Sequence, residues 1–402
     1  MPLTVIVNDD ENLALQAPLV NTQPGIAYAA ERRLWQGIPG IERTEKGRLL
    51  ATWYSGGENE GPENYILLAS SEDDGKTWSE PLAVIDPPYP VRAFDPVLWR
   101  DSNGMLWWFW SQSYGLFDGR AGVWAMRCLD TSAPALRWTE PRRIFDGIMM
   151  NRPIVLHDGT WLAPAAVWST MQPGFVLRQD MCSLRFSNVY KSTSQGETWS
   201  LAGQADVPNR HFDEHMIVER QDGKLWMLVR TFAGIGEAIS EDGGAQWLVS
   251  AGNILEGPDS RFFIRRLRSG RLLLINHHRV QNRNNLTATL SENDGRTWYG
   301  HLLLDERADV SYPDGVESPD GVCYVIYDRE RTRAKEILLR HVHGSGHQRR
   351  ESGYGSLLLE ADCFETSWGG SLNLSRGGFA RRMFGPGVLI EQNECHSGAQ
   401  FQ

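Results

Sequence analysis

The chain has 402 residues, a formal charge of −10, 16 tryptophans, 40 glycines and 20 prolines. That charge argues against nucleic acid or an acidic membrane as partner, and no apolar run is long enough for a membrane-spanning helix. The five cysteines (Cys128, Cys182, Cys323, Cys363, Cys395) are odd in number and scattered, so they suggest neither a disulfide framework nor a zinc site, and no metal or other cofactor is expected.

From the start of the chain, Met1 to Ala17 carries Asp9, Asp10 and Glu11 where a signal peptide has a basic start and an apolar core. A reduced, cytoplasmic protein is the expectation. Further on, an octamer recurs. It reads Ser71, Asp73, Gly75, Thr77 and Trp78 in its first copy. The second copy has Ser192, Ser194, Gly196, Thr198 and Trp199, and the third has Ser240, Asp242, Gly244, Gln246 and Trp247. The fourth has Ser291, Asn293, Gly295, Thr297 and Trp298. In each copy the Ser closes a strand. The short polar side chain at the third position accepts backbone N–H groups across a tight turn. The Gly takes φ > 0, and the Trp starts the next strand and packs between sheets. These residues are hairpin staples, and their role is structural.

The spacing counts the units. The last three box tryptophans are about 50 residues apart, the length of one four-stranded propeller blade. Trp138, in Arg-Trp-Thr-Glu-Pro, fills the gap between Trp78 and Trp199 and echoes Thr77–Pro81. A sixth unit is expected from Val322 to Leu339, closed by an N-terminal strand. The runs 106–110, 225–229 and 271–276 read as buried strands after Gly-containing turns. The fold class is therefore all-β, a six-bladed β-propeller over residues 1–345. Residues 346–402 carry no box and read as a poorly ordered tail or small appendage.

The four boxes make residues 30–340 resemble the sialidase (neuraminidase) superfamily of Asp-box, or BNR-repeat, propellers. That resemblance implies a glycosidase with a Tyr nucleophile, a Glu that activates it, a separate acid on an early loop and three arginines for a substrate carboxylate. The segment Phe212 to Ile217, leading to Arg230, matches the family's Glu-before-Arg segment and implies Glu214 and Arg230. Gln281 to Leu286, leading into the fourth box, implies Arg283. Val310 to Asp314 resembles the nucleophile loop and implies Tyr312. A phenol with a pKa near 10 needs a carboxylate to take its proton, and arginine forks suit a carboxylate.

The sequence departs from the family at one point. Where the family has Arg-Ile-Pro, this chain reads Gln36-Gly37-Ile38-Pro39, so Gly37 replaces the first arginine. Arg33, Arg92, Arg152 and Arg261 are candidates to compensate. The following segment offers Glu60 and Glu63 as the acid. His277 and His278, at the end of a buried-looking strand, suggest a second reading, a hydrolase or lyase with a His base acting on uronic-acid glycans. A third is a non-catalytic glycan-binding propeller. The partner expected in all three is carbohydrate. An enzyme requires Tyr312, Glu214, Arg230 and Arg283 to converge with Tyr–Glu contact, whereas a binding module lets them scatter.

Overall fold

The recurring hairpins form six antiparallel sheets, one after another along the chain. They are seen in a computed structural model that describes residues 9–168, 175, 178–278, 282–343 and 360–362. Blade 1 contains Gln36–Arg43, Leu49–Ser55, Tyr65–Ser71 and Ala83–Ile85, and Val20–Asn21 pairs along its outer edge. Blade 2 contains Val91–Arg100, Leu106–Tyr114, Val123–Cys128 and Arg142–Phe145. Blade 3 contains Ile154–Val155, Trp161–Ala166, Ser187–Ser192 and Ser200–Ala205. Blade 4 contains Met216–Glu219, Leu225–Thr231 and Gly234–Ser240, edged by Leu248–Val249 and Leu255–Glu256. Blade 5 contains Phe263–Arg266, Leu272–His277, Leu286–Ser291 and Tyr299–Asp305. Blade 6 contains Val310–Glu317, Val322–Arg329, Glu336–His343 and Glu360–Asp362. The fold is the expected all-β six-bladed propeller. Helices among the described residues are short 3-10 turns, and none is long and apolar enough to cross a membrane.

Blade 6 corrects one expectation. The N-terminal strand does not close it; Val20–Asn21 pairs with Ala83–Ile85 of blade 1 instead. The outer position of blade 6 is held by Glu360–Asp362, which pairs with Glu336–His343. The rest of the expected 346–402 tail lies outside the described residues.

The boxes work as their chemistry suggests. Ser71 Oγ accepts the Gly75 N–H at 2.8 Å, and Asp73 Oδ1 accepts the Thr77 N–H at 2.8 Å. The Trp78 indole donates back to the Gly75 carbonyl at 3.1 Å. In the other boxes the Ser hydroxyl accepts the Gly N–H at 2.9 Å. Ser194 and Asn293 replace Asp as acceptors at 2.8 and 2.9 Å. Blade 2 has no box turn but keeps its tryptophan: Trp138 bridges Cys128 and packs tilted against Trp108, 5.5 Å between ring centres.

The box glycine has a second task. Gly295 has φ +83°, and a Cβ there would lie 2.4 Å from the Trp226 ring of blade 4. At Gly75 it would lie 2.2 Å from Leu339 of blade 6. The turn of one blade thus nests against the core of the blade before it, which fixes the angular step between blades.

Gly104 has a similar φ of +84° with nothing within 4 Å of a Cβ. Gly104→Ala therefore incurs only left-handed backbone strain, about 1 kcal/mol. Gly295→Ala adds an intrusion into packed indole and should cost roughly 3 kcal/mol. Urea unfolding midpoints of the two variants measure the difference; equal midpoints would remove the packing role.

Candidate active site

The site begins with strained backbone. The first strands of blades 1, 2 and 6 each bulge at a residue followed by proline: Ile38-Pro39, Asp95-Pro96 and Tyr312-Pro313. Strand register shifts between Gly37 and Gly40, between Phe94 and Val97, and between Ser311 and Asp314. The residue before each proline has positive φ, at 56°, 47° and 53°. A residue preceding proline is already barred from the right-handed helical region, and a bulge re-aims its side chain. Glu214 is presented by another such device. Phe212, Asp213 and Glu214 are three successive left-handed residues, with φ 56°, 59° and 42°. The Arg230 N–H donates to the Asp213 carbonyl at 2.9 Å, pinning this loop to the end of strand Leu225–Thr231.

These devices bring the predicted set together. The Tyr312 hydroxyl donates to Glu214 Oε1 at 2.7 Å. Arg230 Nη1 donates to the same Glu214 oxygen at 2.5 Å and to the Tyr312 oxygen at 2.9 Å. Arg230 Nε donates to Asp259 Oδ1 at 2.6 Å, and His211 Nδ1 pairs with Asp259 Oδ2. Arg283 Nη2 donates to the Asp259 carbonyl at 2.9 Å, with its guanidinium 5.4 Å from the centre of the Tyr312 ring. Tyr312, Glu214 and Arg230 are all nearly buried.

Burial pushes the Tyr312 phenol above its usual range, as does the Glu214 charge, while Arg230, Arg283 and Arg331 pull the other way. Burial disfavours the Asp259 carboxylate, yet the His211 and Arg230 hydrogen bonds hold it down at about 2. Asp259 is thus a fixed negative charge that orients Arg230. An apolar recess lies beside Glu214, lined by Met150, Ala166, Trp168, Phe212 and His215.

One arginine escaped the sequence reading. Arg331, in the loop between the second and third strands of blade 6, lies 4.2 Å over the Tyr312 ring. Its Nε donates to Asp328 Oδ2 at 2.9 Å and its Nη2 to Ser311 Oγ at 3.0 Å. It packs on Gly37: a Cβ there would lie 2.8 Å from Arg331 Cδ. No motif surrounds Arg331, and the signal for it lay at Gly37. Asp95 was also missed. It is buried, neither carboxylate oxygen has a partner among the described residues, and its pKa is raised well above the usual range by burial and by Glu60.

The other candidates fall elsewhere. Arg33 donates to the Tyr28 carbonyl at 2.9 and 3.1 Å and lies over Trp53, not beside Tyr312. Arg92 lies over the Phe94 ring at 3.7 Å and donates to Asn64 at 3.3 Å; it shares electrostatic space with Glu60 and Asp95. Arg152 pairs with Asp314 at 2.6 Å and Glu42 at 3.3 Å. Arg261 donates to Asn151 at 2.8 Å. Both therefore serve the buried ion network between blades. Glu60 bonds the Tyr54 hydroxyl, and its charge reaches Asp95, Arg92 and Arg331. Glu63 is exposed and packs by Gly57. His277 is buried between the Asn284 carbonyl at 2.8 Å and Ser260 Oγ at 3.2 Å. Burial and then Arg283 lower its pKa to about 4, against support from the Asn284 carbonyl. The His278 ring lies 4.5 Å from the His301 ring in a tilted arrangement. Among the described residues, no group of side chains is arranged to hold a metal ion.

Comparison with known proteins agrees with this architecture. The chain is 27% identical over 276 residues to a sialidase of Clostridium perfringens, covering 59% of this chain and 69% of that one. It is 24% identical over 242 residues to a sialidase of Paraclostridium sordellii, covering 53% of this chain and 57% of that one. Among solved structures, a Hadza microbial sialidase superposes with a TM-score of 0.60 at 19% identity, covering 74% of this chain and 64% of that one. Residues 47–325 match the family described as a BNR repeat-like domain. With that match over more than half its length, the four boxes and the six blades, the chain belongs to the BNR repeat-like domain family, within the sialidase superfamily of six-bladed propellers.

Proposed function

We propose that this protein is an exo-glycosidase that releases a terminal acidic sugar of the sialic acid class. The observation that carries the reading is the hydrogen bond from the Tyr312 hydroxyl to Glu214, shared with Arg230. Two relatives that bear the name sialidase support it. In the first step Tyr312 Oη attacks the anomeric carbon while Glu214 takes the phenolic proton. The bond to the leaving group breaks, and the departing oxygen takes a proton from Glu60 on the early loop, which must enter this step as the carboxylic acid, protonated from solvent, and leaves it as the carboxylate. In the second step Glu60 removes a proton from water, the water oxygen attacks the anomeric carbon, and Tyr312 leaves and recovers its proton from Glu214.

The choice of nucleophile follows from charge. A sugar with a carboxylate on its anomeric carbon repels an anionic attacker, and a neutral phenol avoids that repulsion; sialidases are a known exception to the two-carboxylate scheme. Tyr312 is held neutral, since its pKa lies above the usual range. Arg230 and Arg283 supply the carboxylate clamp. Arg230 is already oriented by Asp259, so little is lost in ordering it when substrate binds.

The uronic-acid reading with a His base is less well supported. His277 uses both ring nitrogens inside the fold, and its lowered pKa makes it a weak base. A non-catalytic role does not account for the buried Tyr–Glu contact.

The purified protein should release fluorophore from an aryl α-sialoside. Tyr312→Phe should lower kcat by roughly 10³-fold or more, and Glu214→Gln by roughly 10²- to 10⁴-fold. The double variant should fall little below Tyr312→Phe, because the pair acts as one unit. Absence of release by the wild type would sink the hydrolase reading on this substrate.

His277 gives a pH prediction. Its folded pKa, about 4, lies below the unfolded value of about 6.5. Between those values the unfolded chain binds more protons, so stability rises with pH through that window and falls by roughly 3 kcal/mol on acidification from 6.5 to 4. His277→Gln should flatten that part of the curve in urea titrations at pH 7 and 4.5. A catalytic His would instead show its loss in kcat at neutral pH.

A further inference from the structure

The geometry points to Arg331 as the third arm of the carboxylate clamp, reaching from blade 6 into the space left by Gly37 of blade 1. This rests on the reading of the site as one for an acidic sugar. Where the resemblance leads one to expect an arginine on the first strand of blade 1, the chain has glycine, and the Arg331 stem occupies the room that any Cβ would need: Cδ, Cγ and Nε lie 2.8, 2.9 and 2.9 Å from that position. Glycine is not needed there for its backbone, since Gly37 is not among the residues with positive φ. What glycine permits at residue 37 is the close passage of another side chain.

Arg331 is held as a preorganised group. Asp328 is fully buried and accepts Arg331 Nε at 2.9 Å, and Ser311 Oγ takes Nη2 at 3.0 Å. Ser311 in turn donates to Asp328 Oδ1 at 2.6 Å. The main chain is fixed as well, since the Gln36 N–H donates to the Arg331 carbonyl at 3.0 Å. Three guanidinium groups then surround one phenol: Arg230 by hydrogen bond, Arg283 at 5.4 Å and Arg331 at 4.2 Å from the ring centre. Each keeps one terminal nitrogen with no hydrogen bond among the described residues: Nη2 of Arg230, Nη1 of Arg283 and Nη1 of Arg331. None of those three atoms is a fully buried, unpaired one. A set of forks with spare donors around a neutral nucleophile suits an anion bonded to the carbon under attack.

Of the four candidates for compensation, Arg33, Arg152 and Arg261 are committed to carbonyls or to Asp314, and Arg92 lies on the Phe94 side. Arg331 alone among the residues weighed for this role touches both Gly37 and Tyr312.

The deciding quantity is preference for a carboxylate, measured by calorimetry as the ratio of Kd values for the carboxamide of the 2,3-unsaturated glycal of N-acetylneuraminic acid and for the free acid. A purely structural Arg331 would not move that ratio. Arg331→Ala should lower it roughly 10- to 100-fold. Arg331→Lys, which keeps the charge and loses the fork, should lower it several-fold and serves if the alanine variant fails to fold. Gly37→Ala, which touches no ligand but displaces the Arg331 stem, should lower it in the same direction. An unchanged ratio in folded Arg331 variants would overturn the assignment while leaving the acidic-sugar reading in place. A wild type without preference for the acid overturns both. Binding of the acid without release of fluorophore overturns only the hydrolase reading, and the ratio still tests Arg331.

Discussion

The ring closes through two buried carboxylates, and the site depends on that closure. Among the described residues every strand of blade 6 comes from the last part of the chain, and none is shared with the N-terminus. Asp328 and Asp314 join the two blades through buried hydrogen bonds, beside the Gln36–Arg331 main-chain bond and the packing of Gly75 on Leu339. Asp328 accepts the Ile38 N–H of blade 1 at 2.7 Å, and Asp314 accepts the Ile41 N–H at 2.9 Å. Each also holds an arginine, Arg331 in one case and Arg152 in the other. A buried carboxylate without such donors would carry a large desolvation penalty, so closure of the ring and placement of these arginines are one event.

The same economy governs the backbone. Left-handed φ at Ile38, Asp95 and Tyr312 is strained, most of all at β-branched Ile38. Strain of this kind persists only where surrounding structure over-determines it, as it does at functional sites. Here ladder pairing resumes on either side of each bulge, and the strained residue is buried on the first strand of its blade in all three cases. Glu214, on its own run of three left-handed residues, reaches the same phenol from blade 4. Tyr312 is mounted on a packed strand and Glu214 on a loop pinned to one, which holds the Tyr–Glu contact at hydrogen-bond distance.

Electrostatics then separates roles among like groups. The chain is acidic overall, with a charge of −10, yet its site gathers Arg230, Arg283 and Arg331 about Tyr312. A local positive cluster can bind an anion against an unfavourable net field because buried pairs are little screened. The carboxylates divide as well. Asp259 is held ionised by Arg230 and His211, whereas Asp95, buried and unpartnered, is pushed toward its neutral form. Environments that push like groups apart in this way are common where a protein transfers protons or binds charged ligands.

The fold was legible in the sequence because its determinants are local. Ser71, Asp73, Gly75 and Trp78 lie within eight residues and make their hydrogen bonds to one another, so the octamer alone specifies the turn, and its repetition specifies the blades. Tyr312, Glu214, Arg230 and Arg283 were legible through their position relative to those boxes. Arg331 and Asp95 were not, since nothing local distinguishes them. The sequence could show that Gly37 lacks a side chain, but not what fills the space. That was decided by ring closure, which sets Ile38 against Asp328 across 290 residues of chain and so brings the Arg331 guanidinium over the Tyr312 ring. Local turn chemistry repeats along the chain and is read from it directly. Contact between the first and last blades exists only once the angular steps of all six have added up to a closed circle.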